Sequence, residues 1–497
     1  MSSRNPRRHA ILAALVVGAL TLTACGSQLD PEDVSQAGGG TGAGDGGTTT
    51  GVPGTDSGVP DQAGVGGGSA GTTAGAPGTT TGSTGGTGSA GTTGGGGSGG
   101  GGGDQGDGEN AADGGNEAAS CDGFKNQTGI TDDKIVIANA SDISGPVPGI
   151  FESAQQATRA YAAYFNSTGD ICGRKLEVTL LDTRADAGAD QQAYTRACAE
   201  AFAAVGSMSA FDSGGAGAAE GCGLPDIRST SVNPERTQCS TCFSAQSVNV
   251  GLVPSVVPDF FLKNYKSSTE HVGLLYINAG ASPPNAEKFR AAWTKAGWNI
   301  DVFAGIDVSE FNFAPYVQQM KDKNVDLVVY VGPYQNTVKL QQAMDQQDFD
   351  PTVFLQDATI YDENYVEQAG SLGDGTFVYS STALFDNMQN KEMALYRSWL
   401  SQVSPGAVPN YYGLYAWSAA RLFVQEAVKL GGKLDRASLV KAFSGVKDWT
   451  SNGLHVPQQV GARTTYNCAQ IIQLNGGKWS PVSGNDFTCG PLIDVGG

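Results

Sequence analysis

From residue 134 onward, short apolar segments alternate with amphipathic ones, and this order limits the possible fold more than any other feature. Residues 134–138 and 176–181 are apolar and β-branched, which predicts two strands. The segment between them has helical periodicity, and its apolar face consists of Ala154, Ala157, Tyr161, Tyr164 and Phe165. A predicted helix over 190–203 and a strand over 204–208 complete a βαβαβ order, which predicts a parallel sheet covered by helices.

The same alternation starts again near residue 257. The predicted helices are 259–263, 285–296, 313–323 and 336–347, and the predicted strands are 271–276, 299–303, 325–330 and 352–355. The second unit shares the plan of the first but does not closely repeat its sequence. The chain is therefore predicted to be an α/β protein with two Rossmann-like lobes, each built on a parallel sheet.

The N-terminal segment has the features of an export signal. Arg4, Arg7 and Arg8 precede an apolar run over 10–22, which is short for a membrane span. The run ends in Leu-Thr-Ala-Cys, and this resembles a bacterial lipoprotein signal, in which Cys25 becomes the lipidated N-terminus. The alternative is an ordinary secretory signal with an incidental cysteine. The lipoprotein interpretation predicts a signal peptide over 1–24 and attachment to the extracytoplasmic face of the cell membrane.

A long polar segment follows the predicted anchor. Residues 37–116 are nearly all Gly, Thr, Ser and Ala, and they have no hydrophobic periodicity. A coil of about 80 such residues has a root-mean-square reach of roughly 50 Å. We therefore predict a disordered tether over 25–120 and a folded region that begins near Cys121.

The charge of the chain bears on its partners. Its formal net charge is −19, and removal of the three leader arginines makes it more negative. Nucleic-acid binding requires a basic surface, so the charge argues against a nucleic-acid partner. After the leader, no apolar run is long enough to predict a membrane span.

Eight cysteines remain if Cys25 is lipidated, and an even number in an exported chain suggests up to four disulfides. Spacing alone does not fix their connectivity. The preferred pairs are Cys198–Cys222 and Cys468–Cys489, with Cys121–Cys172 and Cys239–Cys242 as the remaining ones. The spacing of the last pair also permits a redox dithiol, which requires a helix N-terminus to lower a thiol pKa. The residues after Cys242 favour a strand, and this argues against a redox role.

Short segments at intervals along the folded region then indicate a family. They are Ser144-Gly145-Pro146, Gly173-Arg174-Lys175, Asp182, Gly206-Ser207, Leu224-Pro225, the buried strand 325–329 and the stretch 412–416. In this order and spacing, the region from 134 to about 481 resembles the substrate-binding proteins of ABC transporters, of the branched-chain amino-acid type with the type I periplasmic-binding fold.

The resemblance implies a two-lobed protein that captures a small solute in its cleft and delivers it to an ABC permease, without a cofactor. Three crossover strands join such lobes, and we expect them near 248–253, 377–381 and 453–455. The first lobe would then comprise 121–251 and 378–453, and the second 252–377 and 454–497. The carboxyl ends of both sheets would face the cleft.

The resemblance places candidate ligand contacts of the first lobe after its third and fourth strands. They are Ser209, Ala210 and Phe211 after the third strand, and Thr230, Ser231 and Val232 after the fourth. Family members hold a ligand carboxylate there with hydroxyl and backbone N–H groups, and Thr230 and Ser231 fit that role. The alternative is ordinary use of Ser and Thr in turns and caps.

In the second lobe the candidates are Asn278, Tyr334 and Asp357. Asp357 stands where amino-acid-binding members carry an acid for the ligand ammonium, since a buried carboxylate needs such a partner. The alternative is a loop acid that caps a local turn. Phe151 and Phe211 would pack on an apolar part of the ligand, although Phe151 also suits a core position.

Two loops depart from the family pattern. The turn after Pro146 has no aromatic residue before Phe151, and the loop over 277–284 lacks the aromatic residue of the amino-acid binders. These differences argue against a branched-chain amino acid. They leave another amino acid, an amide or a different small polar molecule as the solute.

An enzyme and a ligand sensor are the two alternative classes of function. For an enzyme, the chain after the leader has only His271 and His455, lacks zinc spacing, and carries Met208 where a nucleophile elbow needs serine. The segment 145–149 also lacks the glycine pattern of a dinucleotide site. We therefore expect no catalytic residue and no metal site. A sensor that presents its ligand to a membrane receptor would have the same fold, and the sequence does not separate sensing from transport.

Overall fold

The computed structural model describes residues 119–496, so the predicted signal peptide, Cys25 and nearly all of the predicted tether lie outside the described residues. The first lobe is built on a five-stranded parallel sheet with strand order β2-β1-β3-β4-β5. Its elements are β1 (Lys134–Ser141), α1 (Glu152–Thr168), β2 (Lys175–Asp182), α2 (Ala187–Glu200), β3 (Ala203–Val205), α3 (Ala216–Gly221), β4 (Asp226–Thr230), α4 (Pro234–Gln238) and β5 (Cys242–Gln246).

The second lobe is built on a larger, mixed sheet with strand order β13-β12-β11-β10-β9-β7-β8, in which β14 also pairs with β12. Strands β7 to β11 run parallel, whereas β12 and β13 are antiparallel to their neighbours. Its elements are β6 (Leu252–Pro254), α5 (Val256–Asn264), α6 (Lys266–Thr269), β7 (Val272–Ile277), α7 (Ser282–Ala296), β8 (Ile300–Ile306), α8 (Ala314–Asp322), β9 (Leu327–Val331), α9 (Tyr334–Gln346), β10 (Val353–Gln356), α10 (Glu363–Ala369), β11 (Phe377–Ser380), β12 (Cys468–Asn475), β13 (Lys478–Pro481), β14 (Thr488–Cys489) and β15 (Leu492–Asp494).

Three helices between β11 and β12 return to the first lobe: α11 (Lys391–Val403), α12 (Tyr411–Leu430) and α13 (Arg436–Ser444). Helix α12 packs against α1, β4 and β5. Its Trp417 is fully buried, lies edge-on to Tyr161 at 4.8 Å between ring centroids, and donates its indole N–H to Glu392. Arg421 neutralises that buried glutamate at 2.8 Å, so the charge inside the helix layer is paired.

A glycine allows α1 to pack closely on the first sheet. Gly206 follows β3 with φ +70°, and a Cβ at this position would lie 2.2 Å from Thr158 Oγ1. The Thr158 hydroxyl in turn accepts a hydrogen bond from Asn139 on β1 at 2.9 Å. The absence of a side chain at 206 therefore fixes the spacing between the sheet and the helix whose N-terminus approaches the cleft.

The crossover segments lie side by side. Thr382 and His455 form an antiparallel bridge, and Asn249 exchanges hydrogen bonds with the Thr465 hydroxyl. Residues Phe377–Ser380 form β11 of the second sheet, so this crossover begins at Ser381, at the end of the predicted range. Ser381 also binds the hydroxyls of Tyr411 and Tyr415, which attaches the crossovers to α12.

The structure confirms the four predicted disulfides, which are Cys121–Cys172, Cys198–Cys222, Cys239–Cys242 and Cys468–Cys489. Cys239 follows the C-terminus of α4, and Cys242 begins β5, as expected for a structural pair without a helix N-terminus at the thiol. Within residues 119–496, no helix combines the length and apolar character needed to cross a bilayer.

Two predicted boundaries in the first lobe are wrong. The helix predicted over 190–203 spans Ala187–Glu200, because Asp186 caps it by accepting from Ala189 N. The strand predicted over 204–208 spans Ala203–Val205, because the left-handed conformation of Gly206 ends it. The polar residues after Gly206 consequently belong to the loop that faces the second lobe.

Candidate functional site

The carboxyl ends of the parallel strands face one another across the cleft, and two adjoining cavities lie there. The first, the inter-lobe cavity, has a volume of about 140 Å³ and lies between the loops after β1, β3 and β4 and those after β7, β9 and β10. The second, the hinge-side cavity, has a volume of about 150 Å³ and reaches the crossover segments. Val232, Asn285, Val331, Asp357 and Tyr412 line both cavities, so the two lie side by side.

The three predicted hydroxyl contacts of the first lobe are buried and bonded within the protein. Ser209 is fully buried and accepts from Phe211 N at 3.1 Å. Thr230 and Ser231 line the hinge-side cavity, and their hydroxyls contact Gln246 O at 3.4 Å and Ser244 Oγ at 3.2 Å. These serines and threonines stabilise the loops, and two of them also border the cavity.

Two buried carboxylates occupy backbone donors of the same loops. Asp142 accepts from Ala210 N at 2.8 Å and from Ala185 N at 3.1 Å. Asp212 accepts from Val232 N at 3.0 Å. Both acids are fully buried, and burial raises the pKa of each carboxyl against the opposing effect of these hydrogen bonds. Backbone amides of the loops that carry the predicted carboxylate contacts are thus already bonded to carboxylates of the protein.

A buried charge cluster lies behind these loops. Arg236 contacts Asp190 at 3.1 Å and Asp226 at 3.0 Å, and Arg228 lies 3.8 Å from Asp212. All five side chains are fully buried. Three acids face two arginines, so this side of the cleft carries no surplus of positive charge.

Asp357 is the central acid of the second lobe. It follows β10, lines both cavities and is partly covered. Its Oδ1 accepts from Thr359 N at 2.8 Å and caps the short 3₁₀ turn at Ala358–Ile360. Burial raises the pKa of Asp357, hydrogen bonds from Thr359 oppose the rise, and no cationic side chain among the described residues lowers it. The cap interpretation is confirmed for Oδ1, whereas the contact with a ligand ammonium stays a prediction for a carboxylate that borders the cavity.

Aromatic side chains surround the position of Asp357. Phe151 and Phe211 line the inter-lobe cavity, and Phe151 meets Tyr412 edge-on at 5.1 Å between ring centroids. Tyr379 and Tyr466 border the hinge-side cavity. Burial raises the pKa of the Tyr379 hydroxyl, and the negative charge of Asp357, which lines the same cavity, raises it further.

Several cavity residues were not among the sequence candidates, namely Asp142, Asn285, Tyr379, Tyr411, Tyr412 and Tyr466. Tyr412 stood within one of the family-like segments, so its position near a helix N-terminus was available as a clue. The others come from crossovers, helix starts and strand ends that are remote in sequence, and no local pattern distinguishes them.

Two predicted contacts lie away from these cavities. Asn278 is exposed after β7 and does not line either cavity. Tyr334 begins α9 and lines a third, more polar cavity beside the cleft, together with Asp362, Asn410 and Tyr412. These positions leave the roles of Asn278 and Tyr334 as predictions.

The histidines take part in local hydrogen bonds. His271 is exposed and lies 3.0 Å from Asp301. His455 is fully enclosed, burial lowers its pKa to about 4, and its Nε2 is 2.8 Å from Ser418 Oγ. Within the described part of the chain, no three acidic, cysteine or histidine side chains are grouped to hold a metal ion.

The two lobes touch at the mouth of the cleft. Thr359 Oγ1 lies 3.1 Å from the Tyr412 hydroxyl, and Asn410 donates to Asp362 at 3.0 Å. Gly280 of the second lobe comes so close to the first that a Cβ there would lie 3.0 Å from the Ala210 Cβ. The chain is therefore in a closed arrangement in which both lobes border the cavities.

Two lobes, one built on a parallel sheet and one on a mixed sheet with a parallel core, joined by crossovers and closed over a cavity, define a type I periplasmic-binding fold. A family model described as periplasmic binding protein matches residues 134–478, and the chain belongs to this family. The description of the family is thus that of binding proteins. No curated protein sequence matches the chain significantly.

Solved structures share the fold at low sequence identity. The isoleucine complex of the branched-chain amino acid transporter substrate-binding protein LivJ from Streptococcus pneumoniae is 16% identical, with a TM-score of 0.61 over 72% of this chain and 99% of that one. A fatty acid ABC transporter substrate-binding protein from Thermomonospora curvata is 18% identical, with a TM-score of 0.62 over 73% and 95%. The leucine-binding protein LivK from Thermotoga maritima is 15% identical, with a TM-score of 0.59 over 72% and 99%.

Proposed function

We propose that this protein is an extracytoplasmic solute-binding lipoprotein that encloses a small solute between its lobes and delivers it to an ABC permease. The observation that carries the proposal is the unpaired Asp357 in a cavity bordered by both lobes. A partly covered carboxylate without a cationic partner is poorly hydrated, and a bound solute with a positive or hydrogen-donating group would relieve that cost.

The lipid anchor belongs to the same proposal. Acylation of Cys25 would hold the protein at the extracytoplasmic face of the cell membrane. The segment between the anchor and residue 119 would let the lobes reach a permease. Linkage to the membrane raises the effective concentration of the loaded protein beside that partner. Labelling with a radioactive fatty acid in the native host tests the anchor, because Cys25→Ser would abolish incorporation of the label.

A thermal-shift screen tests solute binding. The full-length protein is heated with a library of amino acids, amides, amines, polyamines, fatty acids and other small acids. A solute that binds only the folded state raises the melting temperature by mass action. Stabilisation by at least one compound, with a dissociation constant confirmed by calorimetry, would support the proposal. A complete lack of stabilisation across the library would overturn it.

A further inference from the structure

The charge and lining of the two cavities narrow the chemistry of the solute, and this inference rests on the proposed function. We propose that the solute is an organic amine with an apolar body and no carboxylate. It would place its ammonium against Asp357 and its body among the aromatic rings. It would therefore belong to a class different from the amino acids and fatty acids named for the structural neighbours.

The first argument is the charge on the second lobe's side of the cavity. Asp357 Oδ1 accepts from Thr359 N, and within residues 119–496 the hydrogen bonds that act on this carboxylate come from Thr359 alone. No lysine, arginine or histidine of those residues pairs with it. An ammonium group at this position would supply the missing positive charge and up to three N–H donors.

The second argument concerns the first lobe's side, where a ligand carboxylate would have to bind. Ala210 N and Val232 N already donate to Asp142 and Asp212. A ligand carboxylate would therefore compete with protein carboxylates for the same donors and meet their negative charge at close range. Like charges at such a distance in a low-dielectric site are strongly unfavourable.

The third argument is the scarcity of basic side chains, among the described residues, that border the cavities. Lys288 is the one basic side chain, in the described part of the chain, that borders either cavity, and its Nζ donates to the Gly496 carbonyl. Arg228 and Arg236 lie fully buried behind the loops and are committed to the acids of the charge cluster. Asp142 is fully buried with both oxygens bonded, so Asp357 is the acid that a solute can reach, and no basic side chain of the described first-lobe residues lines either cavity.

The fourth argument is the apolar and aromatic lining. Pro146, Val147, Ile150 and Val308 border the inter-lobe cavity together with the two phenylalanines described above. Ring faces attract cations within about 6 Å of the ring centroid, and desolvation strengthens this attraction. An aromatic pocket with one carboxylate suits a cation that carries an apolar body, and it suits a zwitterion poorly.

Two sets of compounds, each with one apolar frame and different polar groups, test the inference. On a phenyl frame the compounds are 2-phenylethylamine, phenylalanine, 3-phenylpropanoate and 2-phenylethanol. On an isobutyl frame they are 3-methylbutylamine, leucine, 4-methylpentanoate and 3-methylbutanol. Each compound is titrated calorimetrically into the full-length protein. We expect an amine to bind at least about tenfold more tightly than the amino acid and the acid of the same frame.

Variants then assign the effect to the acid. Asp357→Asn should weaken amine binding at least about tenfold and leave binding of the matched alcohol unchanged. Asp307→Asn removes the same charge from the exposed end of β8 and should leave both affinities unchanged. An equal loss of amine affinity in both variants would show that the overall negative charge of the protein attracts the amine. This result would overturn the role of Asp357.

Failure of this inference differs from failure of the proposed function. If an amino acid or a fatty acid binds as tightly as its amine, or if the library yields a solute while both amines fail, the amine proposal is overturned and solute binding stands. If no compound in the library or in the matched series binds, both proposals are overturned. Tight binding of an amine that depends on Asp357 supports both.

Discussion

Thr359 Oγ1 and the Tyr412 hydroxyl lie 3.1 Å apart, and the bond between them joins the second lobe to the first at the edge of the cavities. Thr359 also donates its backbone N–H to Asp357, so a single residue contacts both the candidate ligand-binding acid and the opposite lobe. If the proposed function holds, we expect occupancy of the cavity to favour lobe closure, because a solute that orders Asp357 would also order the turn that reaches Tyr412.

Removal of that bond should speed solute release. Tyr412→Phe keeps the ring and deletes the hydroxyl, and a neutral hydrogen bond contributes about 0.5–1.5 kcal/mol. We expect the affinity to fall by about 2- to 10-fold, mainly through faster dissociation measured by stopped-flow fluorescence. Thr359→Val should have a similar effect, and the double variant should lose little more than either single variant. Additive losses would contradict a direct bond.

Closure also depends on Gly280. Its φ is +54°, and a Cβ there would approach Ala210 to 3.0 Å and a Phe211 ring carbon to 3.2 Å. Gly280→Ala should therefore hold the lobes slightly apart and lower solute affinity by about tenfold, equivalent to about 1.4 kcal/mol.

Gly476→Ala is the matched control for Gly280→Ala. Gly476 has φ +58° in the β12–β13 turn, and a Cβ there meets no atom within 4 Å. Both variants should lose about 1 kcal/mol of stability from the left-handed backbone. Only Gly280→Ala should weaken binding in calorimetry, and equal affinities in the two variants would exclude a steric limit at 280.

Asp357 should reduce stability when the cleft is empty. Burial raises its folded-state pKa above the ordinary value of 3.8, so the folded state binds the proton more tightly than the unfolded state. The resulting loss of folding stability is absent below pH 3.8. It develops as the pH rises from that value through the raised pKa. At pH 7, Asp357→Asn should therefore raise the melting temperature of the ligand-free protein, and the difference should vanish in acid. Destabilisation at pH 7 would contradict an unpaired carboxylate.

The disulfides should contribute unequally. In the chain-entropy description, the stabilisation grows with the closed loop, from about 2 kcal/mol for Cys239–Cys242, at a separation of 3, to about 4 kcal/mol for Cys121–Cys172, at a separation of 51. Paired Cys→Ser substitutions in urea denaturation would measure this order. A larger loss at Cys239–Cys242 would show that contacts around the buried pair, including Arg236, outweigh chain entropy.

The order of strands and helices could be predicted from sequence because each element carries its own periodicity. The β1 pattern and the buried face of α1 are local, and the structure reproduces both. The boundary at α2 was missed because Asp186 acts through a cap, which extends the helix before the apolar pattern begins.

The candidate site was less accessible to sequence reasoning. Asp357 was a candidate from sequence because it follows a predicted strand at the cleft edge. Tyr379, Tyr412 and Tyr466 come from a strand end, a helix start and a crossover, and only the fold brings them to one cavity. The bonds from Ala210 and Val232 to Asp142 and Asp212 are also tertiary, so the proposal of an amine, beyond the small polar solutes expected from sequence, required the structure.

The distance between the lobes during binding tests the central claim most directly, since solute capture and closure are one event in this account. Spin labels at the exposed Gln191 of α2 and Gln318 of α8 report that distance by double electron–electron resonance. A saturating compound identified by the thermal-shift screen should shift the population to a single short distance, and Gly280→Ala should reduce the shift. An unchanged distance distribution with calorimetrically proven binding would contradict capture by closure.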